Sequence, residues 1–371
     1  MLRKTLIILL LFIIMSFTSG CWDVQEISRR GIASTVFFDS GKTSSVKIGI
    51  VIPVPGTQIP PVQGTTQQFQ KRHFIILGEG KSALEAWTKV HSNVATDIFF
   101  GQIRAIILSE EVARGNINDV LDFVGRFPLI PPNTNVLLTK NDPEKLLDLK
   151  NEANLLPGNY IDFYFQIPGK RTLALPLDLW RVNSIVDKKW QDSYLPIIEQ
   201  SQDNYRIAGT AVFSENSMVG ELDMDETQTL ALIMGSDLGY LTLPLNDVKL
   251  VAFHKIKSQT KTEITVSDTG IVTFDVKLKI TGGVVESKPQ RIISKDETER
   301  IENEAETLTK RKIEALLTKL QGLNSDPVGF GGKYRIKYPR QWANIDWHQV
   351  YPVAIINVHT KFSIKSTGLF K

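Results

Sequence analysis

The sequence predicts an α+β fold of more than one domain, built from mostly antiparallel or mixed β-sheets that are each packed with helices. Strand-like and helix-like segments alternate between residues 73 and 150, which indicates a sheet covered by helices. Paired strand-like segments around turns follow from residue 205 on, which indicates hairpins. The length of 371 residues is enough for two or three domains.

The N-terminal half is predicted to begin with a hairpin, because two β-rich segments flank a turn at Asp39–Gly41. A helix is predicted to start after Ser82, since Ser82 and Glu85 have the spacing of a capping box. The Pro, Gly, Gln and Thr content of residues 53–70 indicates an exposed loop. The predicted elements are strands at 34–38, 45–52, 73–77, 98–108 (interrupted at Gly101) and 135–139, and helices at 82–93, 116–126 and 142–150.

The C-terminal half is predicted to be richer in strands. Residues 155–200 are less regular, and a domain boundary is expected near 190–203, where polar and turn residues concentrate. A helix capped by Asp225 is predicted to follow the first hairpin of this half. The predicted strands lie at 205–213, 218–222, 249–257, 261–266, 271–280 and 353–364.

The longest predicted helix covers residues 294–321. Ser294 and Glu297 form a capping box, and Gly322 stands where a left-handed C-terminal residue is wanted. Its apolar residues form one stripe, which predicts a surface helix laid on a sheet; a seam for a partner helix is the minority interpretation. The stripe consists of Ile301, Ala305, Leu308, Ile313, Leu316, Leu317 and Leu320.

Residues 1–20 have the organisation of a secretory signal that ends in a lipoprotein cleavage site. A basic start is followed by an almost wholly apolar run from Leu6 to Phe17 and then by small residues before Cys21. Cleavage after Gly20 would give Cys21 a diacylglycerol on its sulfur, with an N-acyl chain as a further option. An ordinary cleaved signal and an uncleaved anchor are the weaker alternatives, because spanning a bilayer needs roughly 20 apolar residues.

Charge and cysteine content exclude several classes of protein. Of the 43 basic side chains, Arg3 and Lys4 lie in the leader, so 41 remain against 40 acidic ones. This balance offers no basic field for nucleic acid. Cys21 is the only cysteine, so no internal disulfide can form, and its acylation would exclude a cysteine nucleophile.

No catalytic, cofactor or metal-binding constellation stands out in the sequence. Residues 78–82 lie between a strand and a helix, but they lack the first glycine of a phosphate-binding loop. The five histidines are scattered, no G-x-S-x-G elbow occurs, and helix capping explains the acidic cluster at 223–226. Trp342, Trp347 and Tyr351 could form a sugar-binding platform, although a small core under a loop is favoured.

Several short stretches along the chain match one protein family. Each stretch alone is a weak signal, but their shared order along the chain is specific. They are Gly20–Asp23, Phe99–Ala113, Asp122–Arg126, Ala208–Phe213, Val219–Gly220, Asp326–Gly331, Tyr338–Trp342, Asp346–Trp347 and Tyr351–Pro352. Together with the lipoprotein start, they resemble the Ger(x)C lipoproteins, the C subunits of spore germinant receptors in endospore-forming Gram-positive bacteria.

The resemblance implies a mixed α/β fold and a non-enzymatic subunit that is lipid-anchored on the outer face of the spore inner membrane. Two membrane-embedded subunits, A and B, are the implied partners, and the bilayer is reached through the anchor. The implied division is a signal peptide at 1–20, an N-terminal Ger(x)C-type α/β domain at 21–200 and a C-terminal GerAC-like α+β domain at 201–371. A further split of the last domain near residue 250 is left open.

The leading hypothesis is a subunit needed for assembly of the receptor or for signalling through it. Its candidate partner contacts are Trp342, Trp347 and Tyr351 in the aromatic segment and Gln58 and Gln63 in the loop. The alternative from another class is a solute-binding lipoprotein that captures a nutrient for a membrane transporter. A hydrolase acting on spore peptidoglycan is the third hypothesis, and the sequence contains no acid–base pair to support it.

Overall fold

The computed structural model contains an eight-stranded mixed sheet and a four-stranded sheet, each packed with helices, which confirms the α+β class. It describes residues 3, 5, 30–42, 46–54, 72–126, 129–149, 155–167, 173–186, 188–202, 204–245, 250–288 and 294–367. None of the helices in these ranges combines the length and the apolar character that crossing a bilayer demands. The candidate residues Cys21, Gln58 and Gln63 lie outside the described ranges.

The strands are β1 (Arg30–Ile32), β2 (Thr35–Ser40), β3 (Val46–Pro53), β4 (His73–Gly80), β5 (Asp97–Phe99), β6 (Ala105–Ser109), β7 (Asn135–Thr139), β8 (Tyr194–Ser201), β9 (Asn204–Ser214), β10 (Ser217–Leu222), β11 (Leu238–Leu243), β12 (Leu250–Val266), β13 (Val272–Lys288) and β14 (Ile355–Ser366). The helices are α1 (Ala83–Ser92), α2 (Glu110–Arg114), α3 (Asn118–Gly125), α4 (Pro143–Leu147), α5 (Pro157–Gln166), α6 (Leu179–Val186), α7 (Met224–Ile233), α8 (Lys295–Gly322), α9 (Phe330–Lys337), α10 (Pro339–Trp342) and α11 (Trp347–Val350).

The eight-stranded sheet is covered by helices on both faces. Its strand order is β10-β9-β8-β7-β6-β2-β3-β4, with a parallel centre of β8, β7, β6 and β2. All five residues of β6 are buried, as expected for a central parallel strand. Ile106 and Leu108 face the core that includes α1, α3 and α6, whereas Ala105 and Ile107 face the core that includes α4 and α5.

The four-stranded sheet has the order β11-β12-β13-β14, and its last two strands are parallel. The strands predicted at 249–257 and 261–266 are one continuous strand, β12, of 17 residues. A bulge lies between His254 and Lys257, where Lys255 has a φ of 50°, and it lets the ladder continue past the irregularity. The prediction of two separate strands is therefore wrong.

The longest helix, α8, begins after a capping box of Ser294 and Glu297, as predicted. Its apolar stripe is largely buried, and α8 packs along β14, which confirms a helix laid on a sheet. Glu302 Oε1 accepts a hydrogen bond from Ile364 N at 2.6 Å, and Glu306 Oε2 accepts one from Phe362 N at 3.3 Å. These carboxylates cover backbone donors on the outer edge of β14.

Two helix-end predictions are corrected. The left-handed residue after α8 is Asn324, with a φ of 51°, whereas Gly322 is the last helical residue. The N-cap of α7 is Asp223, which forms a capping box with Glu226, so the predicted cap at Asp225 is wrong. In both cases a neighbouring polar residue of similar capping propensity takes the role.

The segment 155–200 is more regular than predicted. It contains α5, α6 and β8, and Pro157 occupies the first turn of α5. Aromatic residues with strand propensity obscured this helix in the sequence, and burial of Ile161 and Phe165 against the sheet stabilises it instead.

Helix α7 ties the two sheets together. Every residue from Thr227 to Ile233 is buried, so the helix is enclosed on all sides. Thr227 Oγ1 donates to Thr210 Oγ1 of β9 at 3.2 Å, and Ser258 Oγ of β12 donates to Leu232 O at 2.8 Å. One continuous apolar core consequently includes residues of both sheets.

The hairpin β8–β9 crosses the predicted domain boundary at 200/201. Strands β9 and β10 pair within the eight-stranded sheet, although the prediction assigns their residues to the second domain. The division of the chain at this point stays a prediction, and the sheets themselves separate after β10.

Substitution Gly209→Ala should lower the free energy of unfolding by about 1–3 kcal/mol. Gly209 has a φ of 150°, and an added Cβ would meet the backbone carbonyl oxygen of Leu222. Gly322→Ala is the matched control, because a Cβ there meets nothing within 4 Å. Urea unfolding of both variants checks the prediction, and equal effects of the two substitutions would contradict it.

Candidate functional site at the junction of the two sheets

The candidate site is centred on the buried carboxyl group of Asp326, which lies between α8 and α9. Its side chain is 0% exposed. Oδ1 accepts hydrogen bonds from Gly329 N at 2.9 Å and Phe330 N at 3.0 Å. Oδ2 accepts from Gly331 N at 2.9 Å and from Trp347 Nε1 at 3.1 Å. Both oxygens therefore have two N–H donors each, which compensates part of the cost of burial.

A second carboxyl group, that of Asp192, joins this site to the eight-stranded sheet. Asp192 Oδ2 accepts a hydrogen bond from Asp326 N at 2.8 Å, and Asp192 N donates to Asp326 O at 3.0 Å. Asp192 Oδ1 accepts from Glu215 N at 3.2 Å, in the turn between β9 and β10. Ser325 Oγ adds a bond of 2.6 Å to Phe213 O. These contacts fasten the end of α8 to the edge of the first sheet.

Desolvation dominates the electrostatics of this pair. Burial raises the pKa of Asp326 to about 7, even though backbone donors and the Trp347 indole favour the charged form. Burial also raises the pKa of Asp192, against the hydrogen bond from Asp326 N and the nearby His348. His348 Nε2 lies 3.9 Å from Asp192 Oδ1 and 4.0 Å from Glu215 Oε1.

The aromatic segment forms the apolar wall of the junction. Trp347 is 2% exposed and Tyr351 is 1% exposed, so neither side chain can belong to a partner surface or a sugar platform. The prediction that they contact a partner is corrected for this reason. Trp342 is half-buried and packs on Trp347 with ring centroids 5.9 Å apart. The interpretation as a small core is supported, with Phe330 and Tyr334 as further members.

Helix α9 is held close to the segment before β8 by two glycines. An added Cβ at Gly331 would lie 2.7 Å from Trp190 O, and one at Gly332 would lie 3.0 Å from Trp190 Cδ1. The Arg335 guanidinium lies 3.8 Å from the centroid of the Trp190 ring, within the range of a cation–π contact. This packing adds a second layer of contacts around the buried carboxyl groups.

The site is closed, so it is suited to fixing the two sheets together rather than to binding a substrate. Within the described ranges, no group of three or more His, Cys, Asp and Glu side chains is placed to hold a metal ion. The acidic cluster at 223–226 caps α7, and its Asp225 and Glu226 pair with Lys312 and Lys319 at 2.7 Å. Helix capping therefore accounts for that cluster, as the sequence indicated.

Sequence reasoning did not identify Asp192 or Asp326 as important. Asp326 starts a turn that is followed by Gly329 and Gly331, and an aspartate before such a turn often accepts backbone N–H bonds. That signal was present in the sequence. No local signal marks Asp192, because it meets its partner 134 residues away.

Comparison with known proteins identifies the family to which this chain belongs. The family described as spore germination protein N-terminal domain matches residues 23–200, and the family described as spore germination B3/GerAC like, C-terminal matches residues 208–368. The chain therefore belongs to the Ger(x)C family, as its sequence indicated, and its role lies in spore germination.

Individual relatives are distant but cover the whole chain. Spore germination protein B3 of Bacillus subtilis (strain 168) is 23% identical, with 96% of each chain covered. Spore germination protein GerQC of Bacillus cereus is 19% identical over 97% of this chain and 98% of its own. The crystal structure of the GerBC protein has the same fold, with a TM-score of 0.59 and 20% identity over 92% of this chain and 100% of that one.

Substitution Asp326→Asn should lower the free energy of unfolding at pH 8 by roughly 2–6 kcal/mol. An amide keeps one oxygen, so its NH2 group would face two of the four N–H donors. Tyr351→Phe is the control in the same cluster, because the buried Tyr351 hydroxyl makes no hydrogen bond to the described part of the chain. It should leave stability unchanged or raise it slightly. Urea unfolding measures both, and a harmless Asp326→Asn would refute the proposed importance of the junction.

The stability of the protein should depend on pH through Asp326. Because its pKa is about 7 when folded and roughly 4 when unfolded, the folded state holds a proton that the unfolded chain releases. The free energy of unfolding therefore falls as the pH rises from about 4 to 7, by roughly 4 kcal/mol. Asp326→Asn should lose this component. Unfolding curves across that range give the slope for each protein, and parallel slopes would contradict the assignment.

Proposed function

We propose that this chain is the lipid-anchored, non-catalytic subunit of a germinant receptor, needed for assembly of the receptor or for its nutrient signal. The observation that carries the proposal is the match of both family domains, in order, over residues 23–200 and 208–368. The A and B membrane subunits are its proposed partners, and the outer face of the spore inner membrane is its proposed location.

The anchor is the acylated Cys21, reached by cleavage after Gly20. What supports it is the leader: a basic start, an apolar run and small residues immediately before the only cysteine of the chain. Each buried CH2 group of an acyl chain contributes about 0.8 kcal/mol, so two chains hold a folded body stably on a bilayer. Confinement beside the partners raises the effective concentration, and weak contacts then suffice for assembly.

The buried junction favours a scaffold over a solute-binding protein. Two-lobed binding proteins close around their ligand by hinge motion, which requires a small and separable interface between lobes. Here Asp326, Asp192 and the enclosed helix α7 join the sheets through fully buried contacts. Opening this interface would break the hydrogen bonds of Asp192 and Ser325 across it and expose apolar core to water, so a rigid body is the better description.

Purification of the tagged chain from spore membranes tests the proposal. The A and B subunits should co-purify, and mass spectrometry should find an N-terminal peptide that starts at a diacylated Cys21. Cys21→Ser should abolish the lipid, release the chain from the membrane fraction and lower co-purification at least tenfold, whereas the neighbouring Trp22→Phe should change none of these.

Two results would count against the proposal. An unmodified thiol on a fully functional protein would remove the anchor. Tight binding of single nutrients to the purified body, with no A or B subunit recovered, would favour the solute-binding lipoprotein instead.

A further inference from the structure

One face of the four-stranded sheet carries lysines opposite one another on three neighbouring strands. Lys261 of β12 lies opposite Lys277 of β13, which in turn lies opposite His359 of β14. In the next row Lys279 lies opposite Lys361, and Lys257 belongs to the row after that. Like charges directly opposite each other destabilise a sheet. We call Lys257, Lys261, Lys277, Lys279 and Lys361 the basic face.

The acids on this side of the sheet neutralise only part of the charge. Glu263 and Asp275 lie opposite each other in a single row, and Glu263 bonds to Lys261 and to Lys277 at 3.0 Å each. Asp275 Oδ1 accepts from Asn357 Nδ2 at 3.0 Å and lies 4.0 Å from His359 Nε2. Lys361 Nζ also lies 3.4 Å from Glu306 Oε2 of α8, so five lysines stand against three carboxylates. Their side chains remain open to solvent, with Lys261 76% exposed and Lys277 51% exposed.

Exposed aliphatic side chains cluster at the end of the same sheet. Ile355 is 48% exposed and lies opposite Thr273, two residues after the 47% exposed Ile271. Val353, which is 74% exposed, precedes Ile355 by two residues. We call Ile271, Val353 and Ile355 the apolar end.

We propose that the basic face and the apolar end together form a surface that docks on the anionic headgroups of a phospholipid bilayer. Charge complementarity selects this occupant: lysines near an anionic membrane surface are attracted by its potential, and the aliphatic side chains beyond the acidic row of the same sheet enter the boundary between headgroups and acyl chains. An acidic protein surface would complement the charge of the lysines, but it would leave the exposed aliphatic side chains without an apolar partner.

The inference rests on the proposed function in one respect, since the acyl anchor is what holds this surface near a bilayer. The docking would give the tethered body a defined orientation, with the four-stranded sheet towards the lipid. Acyl chains on one N-terminal residue do not by themselves fix the orientation of the folded body. The surface is therefore a second membrane contact, independent of acylation.

Vesicle sedimentation with the chain from residue 21 on, carrying Cys21→Ser so that no lipid is attached, tests the docking directly. The protein should bind vesicles that contain about 30% phosphatidylglycerol at least tenfold more tightly than pure phosphatidylcholine vesicles, and added salt should weaken this binding. Removal of three lysines should weaken it about fivefold for each lysine. The test variant combines Lys257→Gln, Lys279→Gln and Lys361→Gln, and the control of equal charge combines Lys81→Gln, Lys145→Gln and Lys310→Gln.

A second variant tests the apolar end. Val353→Ser with Ile355→Ser should reduce binding to the same vesicles several-fold while leaving its salt dependence intact, because the lysines remain. Circular dichroism confirms that each variant is folded.

The proposal is overturned by equal binding to both vesicle types, or by equal losses in the test and control lysine variants. It is also overturned if the three test substitutions leave vesicle binding normal but, in the chain that keeps Cys21, abolish co-purification with the A and B subunits, which would identify a protein interface. The vesicle assay uses protein without the acyl group, so a negative result there would not contradict the proposed anchor. The mass of the Cys21 peptide tests that anchor separately.

Discussion

The carboxyl group of Asp326 is the constraint on which the arrangement of the two sheets depends. A carboxylate without water must receive hydrogen bonds in nearly all directions, and two separate elements supply the donors of this one. Three donors come from the start of α9 and one from the Trp347 indole. The backbone of the same residue is bound by Asp192 from the first sheet. A shift of any of these pieces by an ångström would leave a buried polar atom unpaired.

The apolar core stabilises this arrangement, and the polar contacts fix the relative orientation of the two sheets. The core runs without a break from the eight-stranded sheet through α7 to the four-stranded sheet. Hydrophobic burial is non-directional and would tolerate several relative orientations of the sheets. The paired aspartates and the bonds from Thr227 and Ser258 select one of them. Such a body holds its surfaces in one relative arrangement, which suits the proposed role as a subunit of a receptor complex.

Local signals in the sequence were enough for the elements whose stability is local. The capping box of α8, the hairpin β2–β3 and the proline at the start of α4 were all predicted, because each depends on residues a few positions apart. Burial of Trp347 and Tyr351 depends on where distant elements meet, so an aromatic-rich segment was taken for a surface. The Asp192–Asp326 pair joins residues 134 positions apart, and no sequence pattern near Asp192 indicates it. Family resemblance indicated the role in spore germination, whereas the residue pattern alone offered no catalytic motif and no biological role.

Glu302 and Glu306 have a consequence if the protein stands beside other copies of itself on a membrane, as the proposed function implies. By accepting the N–H groups of Phe362 and Ile364, they cover part of the backbone edge of β14 with which a strand from a neighbouring copy could pair. Molecules packed side by side then meet through side chains, whose fit is specific, rather than through backbone, which pairs with any sequence. Helix α8 therefore limits edge-to-edge association between copies, in addition to packing on the four-stranded sheet.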